Sequence, residues 1–241
     1  MNDETDKKNE CTIGEKCEIA PSAVLGKGCK IGAHVIIHPN VVLYDYTEIG
    51  DNVEIFENSV IGRPPKTAGN LIHKLKNEYK PVTIGNNTVI GVGVVIYAEN
   101  QIANNVLFGD YACLRECCVV EEYCVIARFV TINHHVTIHH HSKIMDNSHL
   151  TPYSIIEDNV FIGVGIITTN GSDMRLIGQE VGEKGGVKFK SGCRVGSGSI
   201  FLPGVTVGAD ALIGAGALVI KDVPPNTSAI GIPANRINGR P

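Results

Sequence analysis

The sequence lacks tryptophan and contains only 7 tyrosines and 6 phenylalanines in 241 residues. It also lacks any apolar run close to the ~20 residues that a membrane-spanning helix requires. The first ten residues are too polar for the apolar part of a signal peptide. The formal net charge is −4, so no excess of positive charge is present to bind a nucleic-acid backbone. We therefore expect a cytoplasmic protein that binds neither nucleic acid nor membranes.

Glycine, by contrast, is frequent at 27 residues, and apolar residues recur at every sixth position. Three runs follow this period, from Ile13 to Ile61, from Ile84 to Ile162 and from Phe189 to Val219. Four residues after nearly every apolar anchor stands a small or β-branched residue, such as Cys17 or Val35. Because a period of six fits neither a helix nor an isolated strand, it predicts short strands that are joined by corners and stacked as parallel coils.

This repeat resembles that of the hexapeptide-repeat acyltransferases, and the resemblance covers residues 11–236. It implies an all-β fold, a left-handed parallel β-helix with three hexapeptides in each coil, and a homotrimer. The handedness rests on the resemblance alone, since crossovers between parallel strands are normally right-handed. We divide the chain into a polar N-terminal tail over residues 1–10, the β-helix over 11–222 and a short C-terminal tail over 223–241.

Two insertions interrupt the period, at residues 63–81 and 169–186. Each could be a tolerated surface loop. Because loops of this length in compact domains are more often functional than not, we predict that both serve the function of the protein.

Eight cysteines raise the question of disulfides or zinc, but no C-x-x-C spacing occurs. Cys113 and Cys117 lie outside the small-residue column. The other six lie within it, where alanine, serine or valine stands in other coils: Cys11, Cys17, Cys29, Cys118, Cys124 and Cys193. We therefore predict free thiols that pack inside the coil, which suits a reducing compartment.

Six of the nine histidines lie between His134 and His149. Residues 18 apart should stack on one corner about 4.8 Å from each other. The run at 139–141 then falls between residues of the neighbouring coils: His139 between Glu121 and Glu157, His140 between Glu122 and Asp158, and His141 between Tyr123 and Asn159. We interpret this run as an exposed ladder of imidazoles and carboxylates, and we assign no metal ligands because no ligand-spacing motif is present.

The gamma-class carbonic anhydrases share the repeat and bind zinc through an H-x₄-H pair and a histidine two coils earlier. His134 and His139 have the first spacing, as do His135 and His140. The residues 36 positions before His134 and His135 are alanine and glutamate, so the third ligand is missing and this function is disfavoured.

The segment from Ile132 to Ile138 resembles one in the UDP-N-acetylglucosamine O-acyltransferases of lipid A synthesis and in bacterial amino-sugar N-acetyltransferases. In both families the histidine at the position of His134 is the general base. His135 replaces the acid that follows it there. Glu116, 18 residues before His134, should lie on the same corner and favour the protonated imidazole. Alternatively, His134 is an exposed corner residue.

Three further segments, 109–116, 143–151 and 168–170, resemble segments of the nucleotide-linked amino-sugar N-acyltransferases. The resemblance implies that Asp110 and Glu116 contact the sugar amine, and we assign Arg115 and Asn133 to substrate binding as well. Some of these relatives carry asparagine at the position of His134 and use the coenzyme thiolate as the base. The identity of the base therefore stays open.

The resemblance implies an N-acyltransferase that moves an acyl group, here expected to be acetyl, from acyl-CoA to the amine of a dTDP- or UDP-linked deoxyamino sugar. Acetyl-CoA is then a co-substrate, and no cofactor is expected to bind tightly. Its binding residues would be Gly165, Thr169, Ala215, Lys221 and Arg236. An O-acyltransferase on a nucleotide sugar and a non-enzymatic solenoid subunit of a larger assembly remain alternatives. The sequence leaves the nucleotide, the sugar isomer and the acyl length open.

Overall fold

A computed structural model describes residues 10–69, 74–170 and 185–237. The elements in these ranges are short β-strands, which wind into a parallel β-solenoid of about 11 turns. The predicted all-β hexapeptide-repeat fold is therefore confirmed. Residues 1–9 of the predicted N-terminal tail and 171–184 of the second insertion lie outside the described residues. The described ranges contain no helix that could cross a membrane.

The strands belong to three sheets, because every third hexapeptide returns to the same side of the coil. Sheet A contains β1 (Thr12–Ile13), β4 (Lys30–Ile31), β7 (Glu48–Ile49), β10 (Thr83–Ile84), β13 (Gln101–Ile102), β16 (Val119–Val120), β19 (Thr137–Ile138), β22 (Ile155–Ile156), β25 (Lys188–Phe189) and β28 (Thr206–Val207). Sheet B contains β2 (Glu18–Ile19), β5 (Ile36–Ile37), β8 (Glu54–Ile55), β11 (Val89–Ile90), β14 (Leu107–Phe108), β17 (Val125–Ile126), β20 (Lys143–Ile144), β23 (Phe161–Ile162), β26 (Arg194–Val195), β29 (Leu212–Ile213), β31 (Ser228–Ile230) and β32 (Asn235–Ile237). Sheet C contains β3 (Val24–Leu25), β6 (Val42–Leu43), β9 (Val60–Arg63), β12 (Val95–Tyr97), β15 (Cys113–Leu114), β18 (Thr131–Ile132), β21 (His149–Leu150), β24 (Ile167–Thr168), β27 (Ile200–Phe201) and β30 (Leu218–Val219).

The register of every sheet follows the predicted coil length. Ile13 pairs with Ile31, 18 residues later. Across the first insertion Ile49 pairs with Ile84, and across the second Ile156 pairs with Phe189. The anchors therefore stay aligned on both sides of each insertion, so the extra residues leave the coil and return to it without changing the stack.

From Ile31 onward the apolar anchors point inward and form one continuous core, whereas Ile13 in the first coil is exposed. Phe108, Phe189 and Phe201 are among its largest fully buried side chains, and the last two meet edge to face with ring centroids 5.1 Å apart. Burying a side chain of this size contributes about 1.5–3 kcal/mol. The small column fills the remaining space at the corners, where Cys118 and Cys124 are fully enclosed. All eight cysteines are free thiols.

The corners are made by residues with a left-handed backbone and by polar side chains that accept hydrogen bonds from backbone amides of the preceding coil. Asn52 has φ 55°, a conformation that asparagine tolerates better than most residues. The backbone nitrogen of Ala33 donates to Asp51 Oδ1 at 2.7 Å, and that of Asp51 donates to Asn86 Oδ1 at 2.8 Å. These hydrogen bonds satisfy the backbone amides that the strands leave unpaired.

The residues assigned to the C-terminal tail extend sheet B beyond residue 222. Ser228 and Ala229 pair in parallel with Leu212 and Ile213, and β32 then returns antiparallel to β31. An antiparallel strand ends the stack of parallel coils at this edge.

Candidate active site

One corner of the coil carries the two residues that we predict to be catalytic. Glu116 and His134 follow β15 and β18, which are neighbours in sheet C, so they occupy equivalent positions on consecutive coils. Both residues are buried, with 1% of Glu116 and 7% of His134 exposed. Ionisable side chains are rarely buried unless they are paired or functional. His134 is therefore not the exposed corner residue of the alternative interpretation.

Arg115 holds the carboxylate of Glu116 in a fixed orientation. Its Nε donates to Oε2 and its Nη2 to Oε1, both at 2.7 Å. Burial raises the pKa of Glu116, but the hydrogen bonds from Arg115, assisted by the charges of Arg115 and His134, outweigh burial and hold that pKa below its usual range. Glu116 is therefore an anion at neutral pH.

His135 orients the imidazole of His134. The two Nδ1 atoms lie 2.9 Å apart, so one ring donates and the other accepts. His135 has φ 58° and stacks on Tyr153 with ring centroids 5.1 Å apart. In the tautomer in which His134 donates through Nδ1, its Nε2 carries the lone pair that a general base requires. His135 thus makes an orienting contact at the position where the resembling families carry an acid.

The first insertion leaves and rejoins the coil at this same corner. The backbone nitrogen of Ala98 donates to the Arg63 oxygen at 3.0 Å, and that of Glu99 donates to the Lys80 oxygen at 2.8 Å. Ala98 precedes Glu116 by one coil. The insertion therefore starts beside the candidate site.

Within the insertion, Lys76 reaches back over the corner. Its Nζ lies 2.8 Å from Glu99 Oε1 and 3.6 Å from the sulfur of Cys117, the residue after Glu116. Tyr79 packs close by, and burial, with a contribution from the charge of Glu116, raises the pKa of its hydroxyl. The insertion thus covers the side of the corner that precedes Glu116.

The second insertion is attached to this corner from the other direction. It follows Thr169 and returns at Gly185, whose oxygen accepts from the backbone nitrogen of Gly204 at 3.1 Å. A Cβ at Gly186 would overlap the carbonyl oxygen of Tyr153, so only glycine allows this close return. The described ends of both insertions therefore lie on the same corner of the coil as Glu116 and His134, and their role in the function stays a prediction.

The remaining predicted residues lie on two corners, except for Arg236. Asn133 adjoins His134, and its Oδ1 accepts from the His134 backbone nitrogen at 3.2 Å. Thr169 and Lys221 lie on the same corner in later coils, Lys221 about four coils beyond His134. Arg236 lies in β32 at the end of sheet B, opposite Ala229.

Asp110, Gly165 and Ala215 share the other corner, across sheet C from Glu116. Asp110 Oδ1 accepts from the backbone nitrogen of Val92 at 3.0 Å, which is the capping role that Asp51 has elsewhere. Within one chain the structure therefore brings together Arg115, Glu116, Asn133 and His134, and it separates Asp110 from them.

The histidine run forms only part of the predicted ladder. His139 Nδ1 lies 3.0 Å from Glu121 Oε2, as expected. His140 Nε2 contacts the same oxygen at 3.1 Å and so does not form a rung of its own. Glu157 turns to the following coil and binds Lys190 at 2.6 Å. Glu157 therefore does not pair with His139 as predicted. The longer side chain of Lys190, one coil away, reaches Glu157 better than the imidazole does.

Sequence reasoning missed several residues of the site, among them Arg63, Tyr97 and Tyr153. Arg115 and Arg63 both lie over the ring of Tyr97, each with its guanidinium carbon 5.4 Å from the centroid. Tyr97 and Tyr153 stand 18 residues before Arg115 and 18 after His135. The coil length that relates Glu116 to His134 therefore also predicts both tyrosines as neighbours.

Comparison with known families agrees with the fold. A bacterial transferase hexapeptide model of six repeats matches residues 10–45 and 28–63, and a succinyl-transferase hexapeptide model matches 80–98 and 191–221. The predicted hexapeptide repeat is confirmed.

A serine acetyltransferase of Salmonella typhimurium is 39% identical over 88 residues, which are 36% of this chain and 29% of that protein. A galactoside O-acetyltransferase of Escherichia coli is 49% identical over 43 residues, 18% of this chain and 21% of that protein.

The chain thus spans less than a third of the length of these relatives. Among solved structures, an Arabidopsis UDP-N-acetylglucosamine acyltransferase has a TM-score of 0.63 at 20% identity, with 91% of this chain and 73% of that chain aligned. At this identity the likeness shows the shared fold, which supports the left-handed form of the helix. The predicted resemblance to hexapeptide-repeat acyltransferases is confirmed, and these relatives support the predicted enzyme class.

Proposed function

We propose that the protein transfers an acetyl group from acetyl-CoA to the amine of a dTDP- or UDP-linked deoxyamino sugar. The observation that carries this proposal is the buried pair of Glu116 and His134, on consecutive coils between two insertions. A base beside a fixed anion suits the attack of an amine on a thioester, because the amine must lose a proton as the bond forms.

In the proposed reaction the sugar nitrogen bonds to the thioester carbonyl carbon and the carbon–sulfur bond breaks. His134 removes the proton from nitrogen and returns a proton to the departing coenzyme sulfur. The contact with His135 fixes the ring, and the charge of Glu116 stabilises the imidazolium that forms. No tightly bound cofactor takes part, and acetyl-CoA is consumed as a co-substrate.

The charge near the site supports an anionic acceptor. Arg63 donates from Nη1 to the Tyr97 hydroxyl at 3.2 Å, and within residues 10–69, 74–170 and 185–237 no carboxylate pairs with it. Arg115, in contrast, is neutralised by Glu116. A guanidinium of this kind suits a phosphate group, and the diphosphate of a nucleotide sugar offers two.

The outer face of sheet C supports the proposed homotrimer. Its ten strand positions directly before the inward anchors carry no Asp, Glu, Lys or Arg: Val24, Val42, Val60, Val95, Cys113, Thr131, His149, Ile167, Ile200 and Leu218. Sheets A and B carry charges at equivalent positions, such as Lys30 and Glu54. Most of these residues are apolar, and the polar Thr131 and His149 hydrogen-bond each other at 2.7 Å, so the face favours burial against other copies.

The two corners that hold the predicted residues border this apolar sheet. Association across sheet C would bring Asp110, Gly165 and Ala215 of one copy towards Glu116 and His134 of its neighbour. The coenzyme would then lie in the groove between copies, with Thr169 beside it and Lys221 or Arg236 near its phosphates. This arrangement gives a role to residues that a single chain keeps apart.

Transfer to oxygen is the second candidate function, and the galactoside O-acetyltransferase match favours it. A hydroxyl acceptor would use the same base. The segment at 109–116 favours nitrogen, because it resembles the amino-sugar enzymes.

The test is an incubation of the protein with acetyl-CoA and paired dTDP- and UDP-linked sugars that carry either an amine or a hydroxyl at the same carbon. Mass spectrometry should find acetylated product from amine sugars only. Product from hydroxyl sugars alone would replace the proposal by O-acetylation. A thermal-shift assay with the same ligands separates inactivity from absence of binding, since a ligand at 100 times its Kd stabilises by about 2.7 kcal/mol. Neither product nor shift would favour a structural solenoid subunit.

A further inference from the structure

A second cluster of chemically capable side chains lies on the corner between sheets A and B, away from Glu116 and His134. Glu121, His139 and Asp158 belong to three consecutive coils, following β16, β19 and β22. One ligand atom of each residue lies within 4.8 Å of the others. The acyl-transfer mechanism uses none of these residues.

The hydrogen bonds of this cluster leave one acidic atom without compensation. His139 Nδ1 and His140 Nε2 both approach Glu121 Oε2, at 3.0 Å and 3.1 Å. Asp158 Oδ1 is buried and has no hydrogen-bond partner among the described residues. A buried carboxylate oxygen without a partner is costly, and a bound cation is one of the few groups that would satisfy it.

The cationic side chains nearby bind other acceptors and so do not compensate the Oδ1 atom of Asp158. Lys190 binds Glu157 at 2.6 Å, and Arg194 donates to the backbone oxygen of Asn159. The side chain of Glu122 accepts from Asn104 Nδ2 at 2.9 Å. The groups of this corner that lie close enough to share one cation are therefore the imidazole of His139 and the carboxylates of Glu121 and Asp158.

From this geometry we propose a Zn²⁺ site formed by Glu121, His139 and Asp158, with a water molecule as the fourth ligand. One imidazole nitrogen, two carboxylate oxygens and a water form a donor set that Zn²⁺ accepts in tetrahedral geometry, whereas Mg²⁺ and Ca²⁺ prefer oxygen alone. The imidazole of His139 binds as a neutral ring, so a proton on its metal-facing nitrogen is released on binding. The ion joins three coils and stabilises the folded protein.

The test uses the full chain after removal of metal with a chelator. Equilibrium dialysis against ZnCl₂ with metal analysis should give one Zn²⁺ per chain, and the unfolding midpoint should rise by at least about 5 °C at a free concentration of 100 times Kd. His139→Gln and Asp158→Asn should each weaken binding at least tenfold. His141→Gln is the matched control, because this histidine stacks on Tyr123 beside the cluster and contributes no ligand.

Co²⁺ in place of Zn²⁺ provides an independent readout, since a tetrahedral nitrogen and oxygen site gives intense visible absorption that His139→Gln should abolish. The proposal is wrong if the protein binds no Zn²⁺ saturably. It is also wrong if binding survives both substitutions and is lost in His134→Ala, because the ion would then occupy the His134–His135 pair.

Discussion

The guanidinium of Arg115 lies against the buried carboxylate of Glu116, with two nitrogen–oxygen distances of 2.7 Å. Water cannot replace this partner, because only 1% of Glu116 is exposed. Arg115→Met should therefore lower the free energy of unfolding at pH 7 by about 3 kcal/mol, the lower end of the range for a broken buried ion pair, since Arg115 itself reaches solvent. Urea denaturation measures the loss, and Lys143→Met, an exposed cation on sheet B, is the control.

The same pair predicts a pH dependence of stability. The pKa of Glu116 is held below its ordinary value of 4.5, so the contribution of the ion pair is fully present above that value and is lost as the pH falls through the lowered pKa. The difference in unfolding free energy between wild type and Arg115→Met should be constant at neutral pH and shrink in acid. A difference that grows in acid would show that Glu116 is not the ionised partner.

His134→Ala should lower kcat by about 10²–10⁴-fold with little change in KM, because a general base acts mainly in the transition state. The rise of kcat/KM between about pH 6 and 8 expected of an imidazole base should vanish in this variant. Glu116→Ala should cost less alone and little more in the His134→Ala background, since residues acting together are non-additive.

His135→Asp tests the orienting contact, because an acid at this position can still accept from His134 Nδ1. It should keep more activity than His135→Ala.

The assignment of His134 as the base has its own contrary outcome. If His134→Ala retains more than about a tenth of the activity while Glu116→Ala abolishes it, the coenzyme thiolate becomes the better candidate for the base.

The period of six predicts the strands, the inward columns and the 18-residue register, because each repeat fills the same place in the coil. The same arithmetic places Glu116 beside His134. It cannot predict that Glu116 binds Arg115, or that Glu157 prefers Lys190 to His139, because several long side chains compete at each corner. It also leaves out Lys76, which belongs to an insertion and has no fixed place in the repeat.

The Lys76–Glu99 ion pair should control the order of the first insertion and contribute little to the stability of the coil. Both partners are near the surface, where such pairs contribute about 0.2–1 kcal/mol. Lys76→Met should speed amide exchange over residues 74–81, while the unfolding midpoint changes by less than about 4 °C. Lys74→Met, an exposed lysine two residues earlier, should leave the exchange unchanged.

The thiols should divide into two classes of reactivity in the native protein. Burial raises the pKa of Cys124 to about 11 and that of Cys193 to about 12, so few thiolates form at pH 8. With a thiol reagent at pH 8, these two and the other buried thiols, Cys29 and Cys118, should react at least about tenfold more slowly than the half-buried Cys11 and Cys17. Cys113 and Cys117 are left out of this comparison because burial raises their pKa as well. After denaturation without reductant all eight should react, and fewer would reveal a disulfide.

The apolar face of sheet C should be the surface at which copies associate. Val95 in β12 and Val89 in β11 form a matched pair, since both are half-buried valines directly before an inward anchor but lie on sheets C and B. Light scattering should give about three times the 25.8 kDa chain mass for wild type and for Val89→Glu. Val95→Glu should dissociate the trimer, because each copy would bury a charge without a partner. Activity should fall with it, since the proposed site draws residues from two corners that one chain keeps apart. A wild-type monomer, or a trimer that only Val89→Glu dissociates, would contradict both the interface and the shared site.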